Sequence, residues 1–136
     1  GEIPYCFDDC AAWCLSLHKA GGVEEVAEKI RSQGGEVLPV RCDVSKVEDV
    51  EAMVQEAIKA FGKVDVLVNN AGISHQELIT HTKDYDYDHV LEVNLKGVFN
   101  CCKAVTPIMV KQQSGKIVNV SSCRFSSPIA FVIRNS

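Results

Sequence analysis

The stretch VDVLVNNAGI, residues 64–73, decides how the rest of the chain is read. Val64 to Val68 is a short apolar run suited to a strand, and it stops abruptly at Asn69-Asn70-Ala71-Gly72. On its amino-terminal side, Val47, Val50, Val54, Ala57, Ile58 and Phe61 recur at helical spacing, and Gly62 ends that helix. Ser45 followed by Glu48 predicts a capping box at its start. Further back, Glu36 to Val40 reads as a strand, which Pro39 places near an edge or a strand end. Val23, Val26, Ala27 and Ile30 mark another helical face, which Gly34-Gly35 stops.

The same alternation continues on the carboxyl-terminal side. Thr82 is placed to cap a long helix from about Lys83 to Gln112, with Val90, Leu91, Leu95, Val98 and Phe99 among its apolar positions. Gly115 breaks it, and Ile117 to Val120 is a further strand. Helices and strands alternating through short connections predict an α/β fold, a parallel sheet covered by helices. The ordered pattern occupies residues 23–122. Residues 1–20 show neither a clean helical stripe nor a strand ending in a charged residue, and residues 123–136 lose the periodicity. The expectation is one incomplete domain, 1–136, with atypical ends.

Composition narrows the function classes. A 136-residue chain with 46% hydrophobic residues suits one modest core. A net charge of -4 with scattered basic residues argues against nucleic acid or an anionic membrane as partner. With no membrane-length apolar run and no signal-like start, the expected location is the cytoplasm. The 7 cysteines are then expected as free thiols. Cys6, Cys10, Cys14 and His18 would form one helical stripe about 18 Å long, too spread for a single metal ion, so no metal site is expected.

Ligands of an open parallel sheet sit beyond the carboxyl ends of its strands. The residues falling there are Asp43 and Val44, then Asn70, Ala71 and Gly72, then Ser121 and Ser122, joined by Asn94 from the long helix. Each alone has a plain reading: Asn70 as a turn former, the serines as caps, Asn94 as a satisfied amide. Together, LVNNAGI, LEVNLKGVF and KIVNVSS resemble, in order and spacing, the short-chain dehydrogenase/reductase family, and within it the 3-oxoacyl-carrier-protein reductases.

The resemblance implies a Rossmann-like doubly wound parallel sheet, truncated here at both ends, with NAD or NADP as cofactor and a small carbonyl or alcohol substrate. Asp43 resembles the residue that accepts a hydrogen bond from the adenine amino group, with the Val44 backbone beside it. Asn70, Ala71 and Gly72 resemble the segment that lets backbone approach the adenosine ribose. Ser122 resembles the catalytic serine that polarises the carbonyl, and Asn94 the helix asparagine that holds a water of the proton relay.

The sequence also departs from the family pattern. Where the family carries its proton-donating tyrosine this chain has Asn135, and neither Tyr nor Lys follows Ser122. No glycine-rich phosphate turn is present, and residues 1–20 show no strand that would choose between NAD and NADP. A central fragment without turnover of its own is expected, or else a catalytically dead adenosine-binding or interaction module. The resemblance implies homo-oligomers. An open edge on the VDVLV strand and uncovered Val98, Phe99, Val105 and Ile108 predict self-association.

Overall fold

The computed structural model describes residues 10–17, 23–121 and 129–135. Strand β1 (Cys10–Leu17) is followed by helix α1 (Val23–Ser32), β2 (Glu36–Arg41), α2 (Val47–Phe61) and β3 (Val66–Asn69). One long helical rod comes next: α3 (Asp84–Leu91), a π segment (Glu92–Lys96) and α4 (Gly97–Gln112). Strands β4 (Lys116–Asn119) and β5 (Ile129–Asn135) complete the order.

The expected punctuation holds at the glycines. Gly34 and Gly62 stand at φ of 81° and 78°, a left-handed backbone that glycine adopts without a Cβ penalty. The Gly62 N–H returns to the Ile58 carbonyl at 2.8 Å and closes α2. The helix starts differ from expectation. The α2 cap is Lys46, without a side-chain bond, because Ser45 turns back and donates its Oγ to Asp43 Oδ1 at 2.7 Å. Lys83 likewise replaces Thr82 at the start of α3, since the Thr82 hydroxyl donates to the Leu78 carbonyl at 3.1 Å. Short hydroxyl side chains satisfy nearby backbone or carboxylate as readily as a cap.

The sheet order is β2-β1-β5-β3-β4. β1 pairs parallel with β2, placing Leu15 opposite Pro39, and β3 pairs parallel with β4, placing Asn69 opposite Asn119. β2 is an edge, as Pro39 requires, because proline cannot donate to a second neighbour. Between the two parallel pairs runs β5, antiparallel to both: Val132 lies opposite Cys14 on one side and Leu67 on the other.

Three expectations are corrected here. Residues 10–17 form a strand although their sequence, CAAWCLSL, lacks a charged end and has Trp13 as its one strong β-former; pairing with β2 and β5 supplies what local preference does not. The tail also forms a strand, IAFVIRN, whose continuous apolar run hides its period. The edge of β3 expected to lie open is paired with that tail strand. The sheet is therefore mixed, with parallel halves. Cys10 and Cys14 lie on β1, four strand residues or about 13 Å apart, instead of on a helix; Cys6 and His18 lie outside the described residues.

The fold is doubly wound around β3. Leu67, fully buried, faces a core built with Val50, Met53, Val54 and Ala57 of α2 and Cys101, Val105 and Met109 of α4. Val66 and Val68 point the other way and meet Ile30 of α1. Alternate residues of one strand thus feed two cores, each buried side chain contributing about 1.5–3 kcal/mol.

Candidate active site at the carboxyl edge of the sheet

The segment leaving β2 is held from three sides. Cys42 and Val44 are buried. Asp43 between them is half-buried, and its Oδ1 accepts from the Ser45 N–H at 3.1 Å and from the Ser45 hydroxyl. Lys46 Nζ stands 3.8 Å from Asp43 Oδ2, and the Asp43 N–H donates to Asp49 Oδ2 at 3.0 Å. From the helical layer, buried Asn100 donates its Nδ2 to the Val44 carbonyl at 2.9 Å. Gly97 lies one turn before Asn100, and a Cβ there would come within 2.6 Å of Val44 Cγ2. The absence of a side chain lets α4 sit directly against this segment.

The segment leaving β3 is held by amides too. Asn69 is buried, and its Nδ2 donates to Asn119 Oδ1 at 2.9 Å and lies 3.4 Å from Cys102 Sγ. The Val120 N–H donates to the Asn69 carbonyl at 2.9 Å, which ties the ends of β3 and β4 together. Asn70 and Ala71 are half-buried and Gly72 is buried. Next, Ile73 is clamped by Asn94: its N–H donates to Asn94 Oδ1 at 2.8 Å, and its carbonyl accepts from Asn94 Nδ2 at 2.8 Å.

Asn94 lies within the π segment, a wider turn of a kind frequent at functional sites. It is exposed, so the buried amide among apolar neighbours suggested by its sequence context is instead a surface clamp.

Asp43, Val44, Asn70, Ala71, Gly72 and Asn94 therefore gather at one edge of the sheet. Val44 and Ala71 line the same small void of about 10 Å³ with Asn69, Val93 and Gly97, so the interior behind the site is packed to within about one water. Ser121 is exposed just past β4, and Ser122 lies outside the described residues. Sequence reasoning missed Asn69, Asn100 and Asn119. Each is an amide inside an apolar run (VLVN, GVFNCC, KIVNV). For Asn69 and Asn100, which are buried, the polar residue at a core position is itself the signal, because a buried amide needs partners. Asn119 is exposed and is found only as the acceptor of Asn69. Among the described residues no helix is long and apolar enough to cross a membrane.

Burial also sets thiol chemistry beside the site. Cys101 and Cys102 are free thiols. Burial pushes the Cys101 pKa up from 9.0 to about 12, with a smaller push from Cys102.

Known proteins are similar to this chain in sequence and in fold. The short chain dehydrogenase family model matches residues 8–133. The 3-oxoacyl-[acyl-carrier-protein] reductase FabG of Staphylococcus epidermidis is 46% identical over 99 residues, covering 73% of this chain and 41% of that protein. Its Staphylococcus aureus counterpart is 43% identical over 111 residues, covering 79% and 45%. In three dimensions, a short-chain dehydrogenase/reductase from Burkholderia xenovorans matches with a TM-score of 0.74 at 32% identity, over 83% of this chain and 46% of that one. A 3-ketoacyl-ACP reductase from Sinorhizobium meliloti 1021 matches with a TM-score of 0.73 at 32% identity, over 79% and 42%. The chain thus spans less than half the length of these relatives. With the family model covering nearly all of it and the amide-held strand ends in place, the chain belongs to the short-chain dehydrogenase/reductase family.

Proposed function

We propose that this chain carries the adenosine half of the cofactor site of an NAD(P)-dependent oxidoreductase that reduces a carbonyl, with a 3-oxoacyl thioester as the favoured substrate class. We further propose that residues 1–136 do not turn over alone. Asp43 and the Val44 backbone would receive the adenine, and Asn70, Ala71 and Gly72 the ribose, with NAD and NADP both open. The site's form favours this, since two backbone segments with small or half-buried residues flank one sheet edge. A nicotinamide cofactor would supply the hydride. Ser122 would donate to the substrate oxygen as negative charge develops there. Asn94 commits one lone pair and one N–H to Ile73, and its second N–H remains for a relay water.

The observation that carries the second half of the reading is the direction of β5. In a doubly wound sheet the diphosphate rests where a strand's carboxyl end opens into a helix. Between β1 and β3 the carboxyl edge instead meets Ile129, the amino end of an antiparallel strand. Among the described residues, those present fit adenosine, the entry of β5 narrows the space beside β1, and the connection from β1 to α1, residues 18–22, lies outside them. Asn135, at the position of the family's proton donor, lies opposite Cys10 at the far end of β5, and an amide is no general acid.

Incubating the purified chain with a 3-oxoacyl thioester and NADH or NADPH should give no loss of nicotinamide absorbance above background. Turnover abolished by Ser122→Ala would overturn the reading. Calorimetry with NAD, NADP and adenosine should give millimolar binding at best, about 4 kcal/mol, and similar for all three because the shared adenosine carries it. A micromolar constant for the dinucleotides alone would mean that a phosphate seat exists. The second reading, an adenosine-binding or interaction module without chemistry, is favoured by the exposed apolar face that Leu91, Leu95 and Phe99 form on the helical rod. It predicts adenosine binding that Ser122→Ala leaves unchanged.

A further inference from the structure

Resting on the adenosine reading, we infer that Asn100 is the positioning residue of the adenine pocket: from α4 it sets the Val44 backbone against which the base would lie. Asn100 is 4% exposed and stands 56 positions from its partner in sequence. Its Nδ2 donates to the Val44 carbonyl at 2.9 Å, and Gly97 lets the helix approach that same residue. No other bond among those described fixes the Val44 carbonyl, and an unpaired carbonyl in this buried place would cost about as much as a lost hydrogen bond.

The helical rod also carries Asn94, six residues earlier, which holds Ile73 after β3. One rigid rod thereby grips both backbone segments of the site and fixes the distance between them. An amide suits this task because its donor is uncharged and short, so it needs no counter-ion in a packed interior. The bond takes up the Val44 carbonyl and leaves the outward side of the segment, with the half-buried Asp43 carboxylate, to face a base.

The test is an amide-resolved NMR titration of the full chain with adenosine. In the unsubstituted chain, signals of Asp43, Val44, Asn70 and Gly72 should move together and saturate in the millimolar range. Asn100→Asp and Asn100→Leu are near in volume and lack the donor. Each should weaken adenosine about tenfold, which corresponds to about 1.4 kcal/mol. Val54→Ala, a core truncation in α2 outside the site, should lower the unfolding temperature without changing the affinity.

Equal affinity in the Asn100 variants and the unsubstituted chain overturns the positioning role while leaving the adenosine reading intact. Absence of localised shifts in the unsubstituted chain overturns both. Where the variants fail to fold, the unsubstituted chain still decides. The Asn100 side-chain amide signals should move in step with Val44, and a stationary Asn100 amide beside a moving Val44 refutes the inference.

Discussion

Asn94 and Ile73 are joined by two hydrogen bonds of 2.8 Å, one in each direction, so that a single side chain closes the backbone of the residue after Gly72. The geometry imitates a strand pair, with the amide standing in for a peptide group. It anchors the segment after β3 to the π segment of the long helical rod.

Replacing Asn94 with Leu removes both bonds. Because Asn94 is exposed, water takes over part of the loss, and the expected cost is about 1 kcal/mol. Hydrogen exchange gives the sharper readout. The Ile73 amide should exchange much faster in Asn94→Leu, while the Val68 amide in the buried strand keeps its protection. Unchanged exchange at Ile73 would show that the clamp is not formed in solution.

β5 is paired on both sides, so it stands where a sheet tolerates proline least. Val132→Pro should destabilise the chain by more than about 3 kcal/mol or prevent folding. Ser136→Pro, just beyond the strand, should change the urea midpoint little. If Val132→Pro unfolds at the same midpoint as the unsubstituted chain, β5 does not hold the two parallel halves together.

Closure of the β3 edge by β5 removes one of the two expected association hazards and leaves the other. Val105 is fully buried, and Val98 and Ile108 are partly buried, so three of the four helix positions expected to be uncovered are largely covered. Phe99 remains 63% exposed and Leu95 67%; with Leu91 they form a stripe one turn apart along the rod. Asp88, Glu92 and Lys96 border this face. Sedimentation should show concentration-dependent self-association and ANS should bind. Leu95→Glu with Phe99→Glu should abolish both without lowering the unfolding temperature. A monomeric, dye-silent chain refutes this.

Cys101 is held neutral by burial, with its pKa raised from 9.0 to about 12. A thiol whose folded pKa lies above its unfolded one stabilises the fold fully below the unfolded value. That contribution fades as pH rises from about 9 toward about 12. Stability should therefore fall in this alkaline window, and Cys101→Ala should flatten the fall. In native buffer near neutrality Cys101 should resist iodoacetamide and react only after unfolding, as read by peptide mass. Rapid native alkylation of Cys101 would contradict its burial.

Much of the site was legible because strand ends carry their own punctuation. Asn70, Ala71, Gly72, Asp43 and Val44 stand out because each lies just past the end of an apolar run. Asn69, Asn100 and Asn119 do not, since their roles depend on partners such as Cys102 and Val44 that are distant in sequence. The expected helix caps failed for a related reason: Ser45 and Thr82 had closer acceptors than the helix ends assumed for them.

What the sequence determined by itself was local: six segments with clear period or punctuation (α1, β2, α2, β3, the long helical rod and β4), their order, and the polar residues set at strand ends. Apolar period and glycine stops act over a few residues, so they can be read without knowing the neighbours. Only the tertiary structure decided that Cys10–Leu17 and Ile129–Asn135 are strands, and that the second lies antiparallel between β1 and β3. Neither segment carries a decisive pattern of its own. Each becomes a strand because an adjacent strand offers a row of unpaired N–H and C=O groups, and leaving such groups unpaired costs more than any local preference can offset.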